Sequence, residues 1–312
     1  MLSRFYLKFF REKNALIIIG FHGVFRDEDE RKLNLVDPST WVTLEDFRCL
    51  VEHYLHNGYT FVSPSDVLNG LDANKKYVMI TFDDGYFNNR YLLPILRGYQ
   101  IPAIFFISTN HVLNNKCFWW DVLYRERIKS GVSLRRIRRE INQLKTRRNE
   151  DIESYLKGVF GADVFEPCGD IDRPFTSSEL KSFSKEKHVF LGNHTSDHAI
   201  LTNYSSNEVK TQIQVAQNTI YGVTGAVPVV ISYPNGNYSA EIIRISREIG
   251  LKLGITLDAR KNDIPVDCEG SECMHLGRFV YMAGMGVENQ CKLFRSDIAP
   301  CTRIYSMVVK KS

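Results

Sequence analysis

Ala103, Ile104, Phe105, Phe106 and Ile107 stand in a row without one polar side chain. A strand with one face in water alternates polar and apolar residues. An unbroken run of this kind therefore reads as a parallel strand covered on both faces. Runs of similar character begin at Leu16 and Tyr77, and shorter ones fall at 188–191, 229–232 and 252–256. Helical patterns lie between them. Thr43 is an expected N-cap, followed by the apolar stripe Leu44, Phe47, Leu50, Val51, Tyr54 and Leu55, with Gly58 as the stop. A strand is expected at 59–62, and Ser63-Pro64 pairs a cap with a first-turn proline. Further helices are expected near 91–96, 208–221 and 240–249, whereas the charged stretch 26–32 reads as a disordered loop. This βαβ rhythm makes the chain α/β with a parallel sheet. Spacing alone fits an open doubly wound sheet and a closed barrel equally well.

The alternation stops over 117–187, which reads as a helical insertion after the fourth or fifth strand. Leu134, Ile137, Ile141 and Leu144 form one helical stripe; Ile152, Tyr155, Leu156 and Val159 form another. Arg135, Arg136, Arg138, Arg139, Lys145, Arg147 and Arg148 crowd the same stretch. A solvated amphipathic face accounts for them, and so does a basic lid over an anionic carrier such as a nucleotide or lipid diphosphate. Trp119 and Trp120 at its start can anchor the insertion or stack on sugar faces.

Three motifs carry the chemistry. Thr81-Phe82-Asp83-Asp84-Gly85 closes the second long apolar run, placing two carboxylates at a buried strand end. An Asp-Gly turn is one reason for this; a metal ligand beside a base is the other. His194-Thr195-Ser196-Asp197-His198 spaces two imidazoles so that both can reach one ion. Two His and one carboxylate leave coordination positions free for water and substrate. The third motif is Ser232-Tyr233-Pro234-Asn235-Gly236, where a β-rich run breaks into strong turn chemistry.

In this order the motifs resemble the polysaccharide deacetylase family, the NodB homology domain of carbohydrate esterase family 4. The resemblance covers about residues 16–281 and matches less well across the insertion. It implies a single NodB-like domain over 1–312, a distorted (β/α)7 barrel carrying the 117–187 insertion. It also implies Asp83 as general base, with Asp84, His194 and His198 holding one divalent metal. Zinc is the default ion, and nickel, cobalt and iron suit the same donors. The Asn235 N–H would face the oxyanion, while Tyr233, Trp119 and Trp120 would line the substrate groove. Many members carry an arginine two residues before the motif's proline; here that position is Ser232, so the base-orienting role is open. The opening Ile17-Ile18-Ile19-Gly20-Phe21-His22-Gly23-Val24 looks like the branch that deacetylates poly-N-acetylglucosamine. In that branch the general acid follows the first strand, which makes His22 the expected acid and His275 the second choice.

The implied activity is metal-dependent removal of an N-acetyl group from an amino sugar, in a cell-surface glycan or its nucleotide- or lipid-linked precursor. Deformylation, O-acetyl ester or non-sugar amide hydrolysis on the same fold are the alternatives, together with a non-catalytic glycan-binding relative. A formal charge of +4 over 312 residues gives no case for nucleic acid. Seven cysteines without framework spacing read as free thiols in a reducing compartment. The charged start of the chain lacks the pattern of a cleaved leader, and the expected location is cytoplasmic. Leu2, Phe5, Tyr6 and Phe9 can share a helical face. That face is expected to pack on the barrel, with contact at the inner membrane surface as its alternative.

Overall fold

The computed structural model describes Leu7, 12–268 and 270–297. The helix expected at the start of the chain lies outside these residues apart from Leu7, and Cys301 lies outside them too. Ten strands are present among them: β1 (Leu16–Phe21), β2 (Val24–Phe25), β3 (Val42–Thr43), β4 (Tyr59–Phe61), β5 (Lys76–Phe82), β6 (Ala103–Ile107), β7 (Val189–Asn193), β8 (Val230–Ser232), β9 (Leu253–Ile255) and β10 (Phe279–Val280). β2 and β3 form a separate parallel pair. The other eight make one parallel sheet in the order β10-β1-β5-β6-β7-β8-β9, with β4 also on β5.

Alternate residues of the central strands feed two cores, which is why their sequences are unbroken. Ile17, Ile19, Phe21, Val78, Ile80 and Phe82 pack with Phe47, Leu50, Val51 and Tyr54 of the helix Leu44–His56. Leu16, Ile18, Tyr77 and Met79 point the other way and join Ile104, Phe106 and Leu253. β5 is shared along its length. Its start pairs with β4 and its end with β6, so the sheet curls. The curl closes through 276–280: Ile255 of β9 bridges Leu276, and Phe279 pairs with Ile19 of β1. The result is the distorted (β/α)7 barrel.

Local signals place the helices. Thr43 accepts from the Asp46 N–H, and Ser63 and Asp66 form a full capping box before the helix Pro64–Leu68. The stretch 26–32 is a correction: Glu28–Lys32 is helical, with Asp27 accepting from the Asp29 and Glu30 N–H groups. Its acids come first and its bases last, the order the helix dipole favours.

Between β6 and β7, after the fourth strand of the main sheet, stand the helices Thr109–Asn114, Trp119–Lys129, Leu134–Leu144, Asn149–Phe160 and Ser177–Phe183. Trp119, Val122, Leu123, Ile137, Ile141, Leu144, Ile152 and Leu156 give this region a core of its own. Leu134 and Val159, expected in its stripes, are exposed. The six described cysteines are free thiols. Among the described residues no helix is long and apolar enough to cross a membrane.

Candidate active site

Because the sheet strands are parallel, their C-terminal ends gather at one rim, and every expected ligand follows one of those ends. His22 comes directly after β1, Asp83 and Asp84 after β5, and His194 after β7, while Ser232 ends β8. The turns that aim these groups need unusual backbone. Asp84, Thr195, His198 and Asn235 all have positive φ, between 53° and 77°. Asp, Asn and His enter this left-handed region more readily than most residues, whereas the β-branched Thr195 holds it only where the surroundings enforce it.

Asp84, His194 and His198 converge, with their ligand atoms within 4.8 Å of one another. Each imidazole Nε2 stands 3.4 Å from Asp84 Oδ1. Donors held about 2.1 Å from a tetrahedral zinc are spaced about 3.4 Å apart, so the trio fits one ion. Its hydrogen bonding agrees. Asp84 is fully buried, yet neither carboxylate oxygen has a hydrogen-bond partner. A buried charge in that condition is costly unless a cation answers it. His194 Nδ1 lies 2.7 Å from the Ser232 carbonyl oxygen. Donating there fixes the tautomer and leaves Nε2 free to ligate. Burial, then the neighbouring His194, pushes the His198 imidazole well below its ordinary pKa, whereas at His194 burial is outweighed by Asp83 and Asp84, which raise its pKa, so a metal ion binding there would have to displace a proton.

The loop between the two histidines is braced from three sides. Asp197 accepts from the side chains of Asn110 and Gln212, and its backbone carbonyl accepts from Asn149 Nδ2 of the insertion. Asn193 Nδ2 donates to the Ile213 carbonyl and to Gln217.

Asp83 is set by a residue that sequence reading passed over. Arg278 Nη1 donates to Asp83 Oδ1 and Nη2 to Oδ2, both at 2.7 Å. The same guanidinium reaches Thr81 Oγ1 and Ser232 Oγ at 3.2 Å. The place beside Asp83 left open at Ser232 is thus occupied by a guanidinium from the segment that closes the barrel. Gly20 of β1 clears the room, since a Cβ there would lie 2.9 Å from Arg278 Cδ. Burial would raise the Asp83 carboxyl, but Arg278, His194 and His22 together hold it well below the usual carboxylate range. The available signal was an arginine immediately before the apolar Phe279, Val280 and Tyr281.

A cavity of about 820 Å³ opens over this group. His22, Asp83, His194, His198 and Asn235 line it, with Trp119 and Trp120 on the insertion side. The Trp120 ring centroid lies 4.4 Å from that of His198, and its Nε1 donates to Tyr86 Oη. Tyr86 in turn donates to Asp121 at 2.5 Å; both also line the cavity and neither was expected there. Tyr233 does not line it. It is fully buried in the core with Oη on the Met274 carbonyl, and Tyr238 is the tyrosine of that loop that reaches the cavity. His275 also lies apart from the cavity walls, its Nδ1 2.9 Å from the Ser271 carbonyl oxygen.

The sequence profile of the polysaccharide deacetylase family matches residues 70–254. No curated protein matches the sequence. Among solved structures, the Streptococcus pyogenes deacetylase PplD in complex with acetate shares 18% identity over 92% of this chain and 100% of its own, with a TM-score of 0.60. IcaB from Ammonifex degensii shares 15% over 91% and 99%, with a TM-score of 0.58. The de-N-acetylase from Aggregatibacter actinomycetemcomitans shares 15% over 90% and 100%, with a TM-score of 0.59. At these identities the likeness is one of fold.

Proposed function

Since the chain belongs to the polysaccharide deacetylase family, whose profile spans more than half of it, we propose that it is a metal-dependent hydrolase removing an N-acetyl group from an amino sugar and releasing acetate. The observation that carries this is a pair of unlike carboxylates side by side after β5, one in the cavity wall and the other behind two histidines that line it. Asp83 has both oxygens answered by Arg278, whereas Asp84 has neither answered and faces two imidazoles.

A divalent ion held by Asp84, His194 and His198 would polarise the amide carbonyl and acidify the attacking water. Asp83 takes the proton from that water. Arg278 keeps the Asp83 carboxylate ionised and fixed in direction, so the transfer needs no side-chain search. Asn235, held in a left-handed turn at the cavity wall, presents its backbone N–H to the developing oxyanion. His22 protonates the departing amine; its Nδ1 is buried without a hydrogen-bond partner. Trp120, Trp119 and Tyr238 offer aromatic surface to the sugar. Zinc suits this donor set by default.

The test is acetate release from N-acetylated oligosaccharides and nucleotide- or lipid-linked amino sugars by zinc-loaded protein and its Asp83→Asn variant. We expect the variant to keep stoichiometric metal and lose about 10²-fold or more in turnover, because an amide accepts no proton. Wild-type turnover by Asp83→Asn would move the base elsewhere.

A further inference from the structure

The insertion helix Leu134–Leu144 buries Ile137, Ile141 and Leu144 and turns Arg135, Arg138 and Arg139 away from them. These arginines sit at i, i+3 and i+4, so their guanidinium groups share one strip. With Asn142, Gln143, Thr146 and Arg147 they line a surface groove. Asn142 and Thr146 also line the catalytic cavity, as does Lys145. The groove and the cavity therefore adjoin across Asn142 and Thr146, and Arg135 stands about 10 Å along the helix from Asn142.

Like charges packed this closely repel unless something answers them. Among the described residues, no carboxylate lies within ion-pair distance of Arg135, Arg139, Arg147 or Lys145. Arg138 reaches Asp37 at 3.6 Å, and its Nε is buried without a hydrogen bond. Asp37 is the acid facing the strip, and one of its oxygens already caps the Ser39 N–H. Burial holds the Lys145 ammonium below its ordinary pKa and Asp37 pulls the other way; an arriving anion would add to that pull.

We propose that this strip binds the diphosphate that links the acetylated sugar to a carrier group, so that the substrate is a glycosyl diphosphate and not a neutral glycan. The inference rests on the deacetylase reading of the cavity. Guanidinium forks at one-turn spacing match tetrahedral, multiply charged phosphate oxygens better than they match one carboxylate. The cavity exceeds the room one sugar ring needs, and it shares the side chains of Asn142 and Thr146 with the groove the strip lines.

Calorimetric titration of metal-free protein reads binding without turnover. The probes are uridine diphosphate N-acetylglucosamine, citronellyl diphosphate N-acetylglucosamine and the neutral N-acetylglucosamine trimer. We expect at least one diphosphate probe to bind about tenfold or more tighter than the trimer, with a preference that weakens as salt rises. The arm that binds identifies the carrier as nucleotide or lipid. The preference should vanish in Arg135→Gln/Arg138→Gln/Arg139→Gln/Lys145→Gln, and should shrink in Arg139→Gln and Lys145→Gln singly, which keep the proposal testable should the fourfold variant misfold. Equal affinities for all three probes would overturn it, as would a preference that survives every variant. Binding of phosphatidylglycerol vesicles without binding of either diphosphate probe would also overturn it, making the strip a membrane-facing surface. Absence of acetate release would sink the deacetylase reading while leaving this binding result as measured.

Discussion

A carboxylate buried as deeply as Asp83 keeps its charge only where a cation answers it, and Arg278 answers both oxygens. The pairing has a chemical consequence, because an acid held this strongly ionised is a weak base. Proton transfer then depends on how acidic the attacking water is made and on how well the carboxylate is aimed. Removing one partner of a buried pair costs about 3–5 kcal/mol. Arg278→Gln should therefore lower stability, and with aim lost, turnover should fall on the order of 10²-fold. Position 232 faces the same carboxylate, with Ser232 Oγ 3.4 Å from Asp83 Oδ2. Returning a guanidinium there, in Ser232→Arg/Arg278→Gln, should recover about tenfold of the lost kcat. A double variant no better than the single one would show that the guanidinium does more than orient. The acid can be tested in the same assay. His22→Ala should cost ~10²–10⁴-fold on an amide and much less on an activated ester, with His275→Ala near wild type. The reverse pattern would reassign the role to His275. Asp83, Asp84, His194 and His22 were legible because they follow on the ends of strands whose burial the sequence announces, and His198 was legible by its spacing from His194. Arg278 was not, since 195 positions separate it from its partner and only closure of the barrel brings them together.

Elements were readable in proportion to how much of their pattern is local. The strands buried on both faces and the helices with side-chain caps stand where composition places them. β10 has two residues and is defined by its pairing with β1, so the short apolar run Phe279-Val280-Tyr281 is too weak a local pattern to mark it as a strand. The helix Glu28–Lys32 is wholly charged and is held by its cap and end charges instead of an apolar stripe. Tyr233 was misplaced because a turn motif shows where the chain reverses but not which of its aromatics faces inward. One cap allows an element-scale prediction. At the start of Ser177–Phe183, Glu179 accepts from Thr176 and takes a bidentate contact from Arg173. Burial pushes the Glu179 carboxyl up, but Arg173 and Thr176 outweigh it and bring the pKa down to about 2 from 4.5. A depressed folded-state pKa contributes stability above the unfolded value, lost as pH falls from about 4.5 towards about 2. With partial exposure discounted, the contribution is about 1 kcal/mol. Glu179→Gln should lower stability by that amount at pH 7 and flatten the pH dependence below 4.5. Denaturant melts that run parallel to wild type from pH 5 to pH 3 would remove the cap from the account.

For the whole molecule, closure of the barrel and assembly of the site are one event. Asn262 exchanges backbone hydrogen bonds with Leu16, and its side chain both donates to and accepts from Gly277. The first strand is thereby tied to the segment that delivers Arg278. The rim formed in this way buries a carboxylate, because Asp84 is fully enclosed with neither oxygen hydrogen-bonded and two imidazoles opposite it. That burial opposes folding, and under the proposed function a cation at this site would offset it, so stability and metal occupancy should be linked. A free ion at 100 times its dissociation constant adds about 2.7 kcal/mol, which for a chain of this length raises Tm by about 4 °C. Chelation should remove that increment and added zinc should restore it. Asp84→Asn should abolish the response, and it should also melt above the chelated wild type, because a neutral amide has no charge to desolvate. The second half of this expectation separates a metal ligand from an ordinary structural carboxylate, whose loss would lower Tm with or without zinc. If the chelated wild type melts above Asp84→Asn and zinc moves neither, Asp84 is a structural acid and the ion must be sought elsewhere.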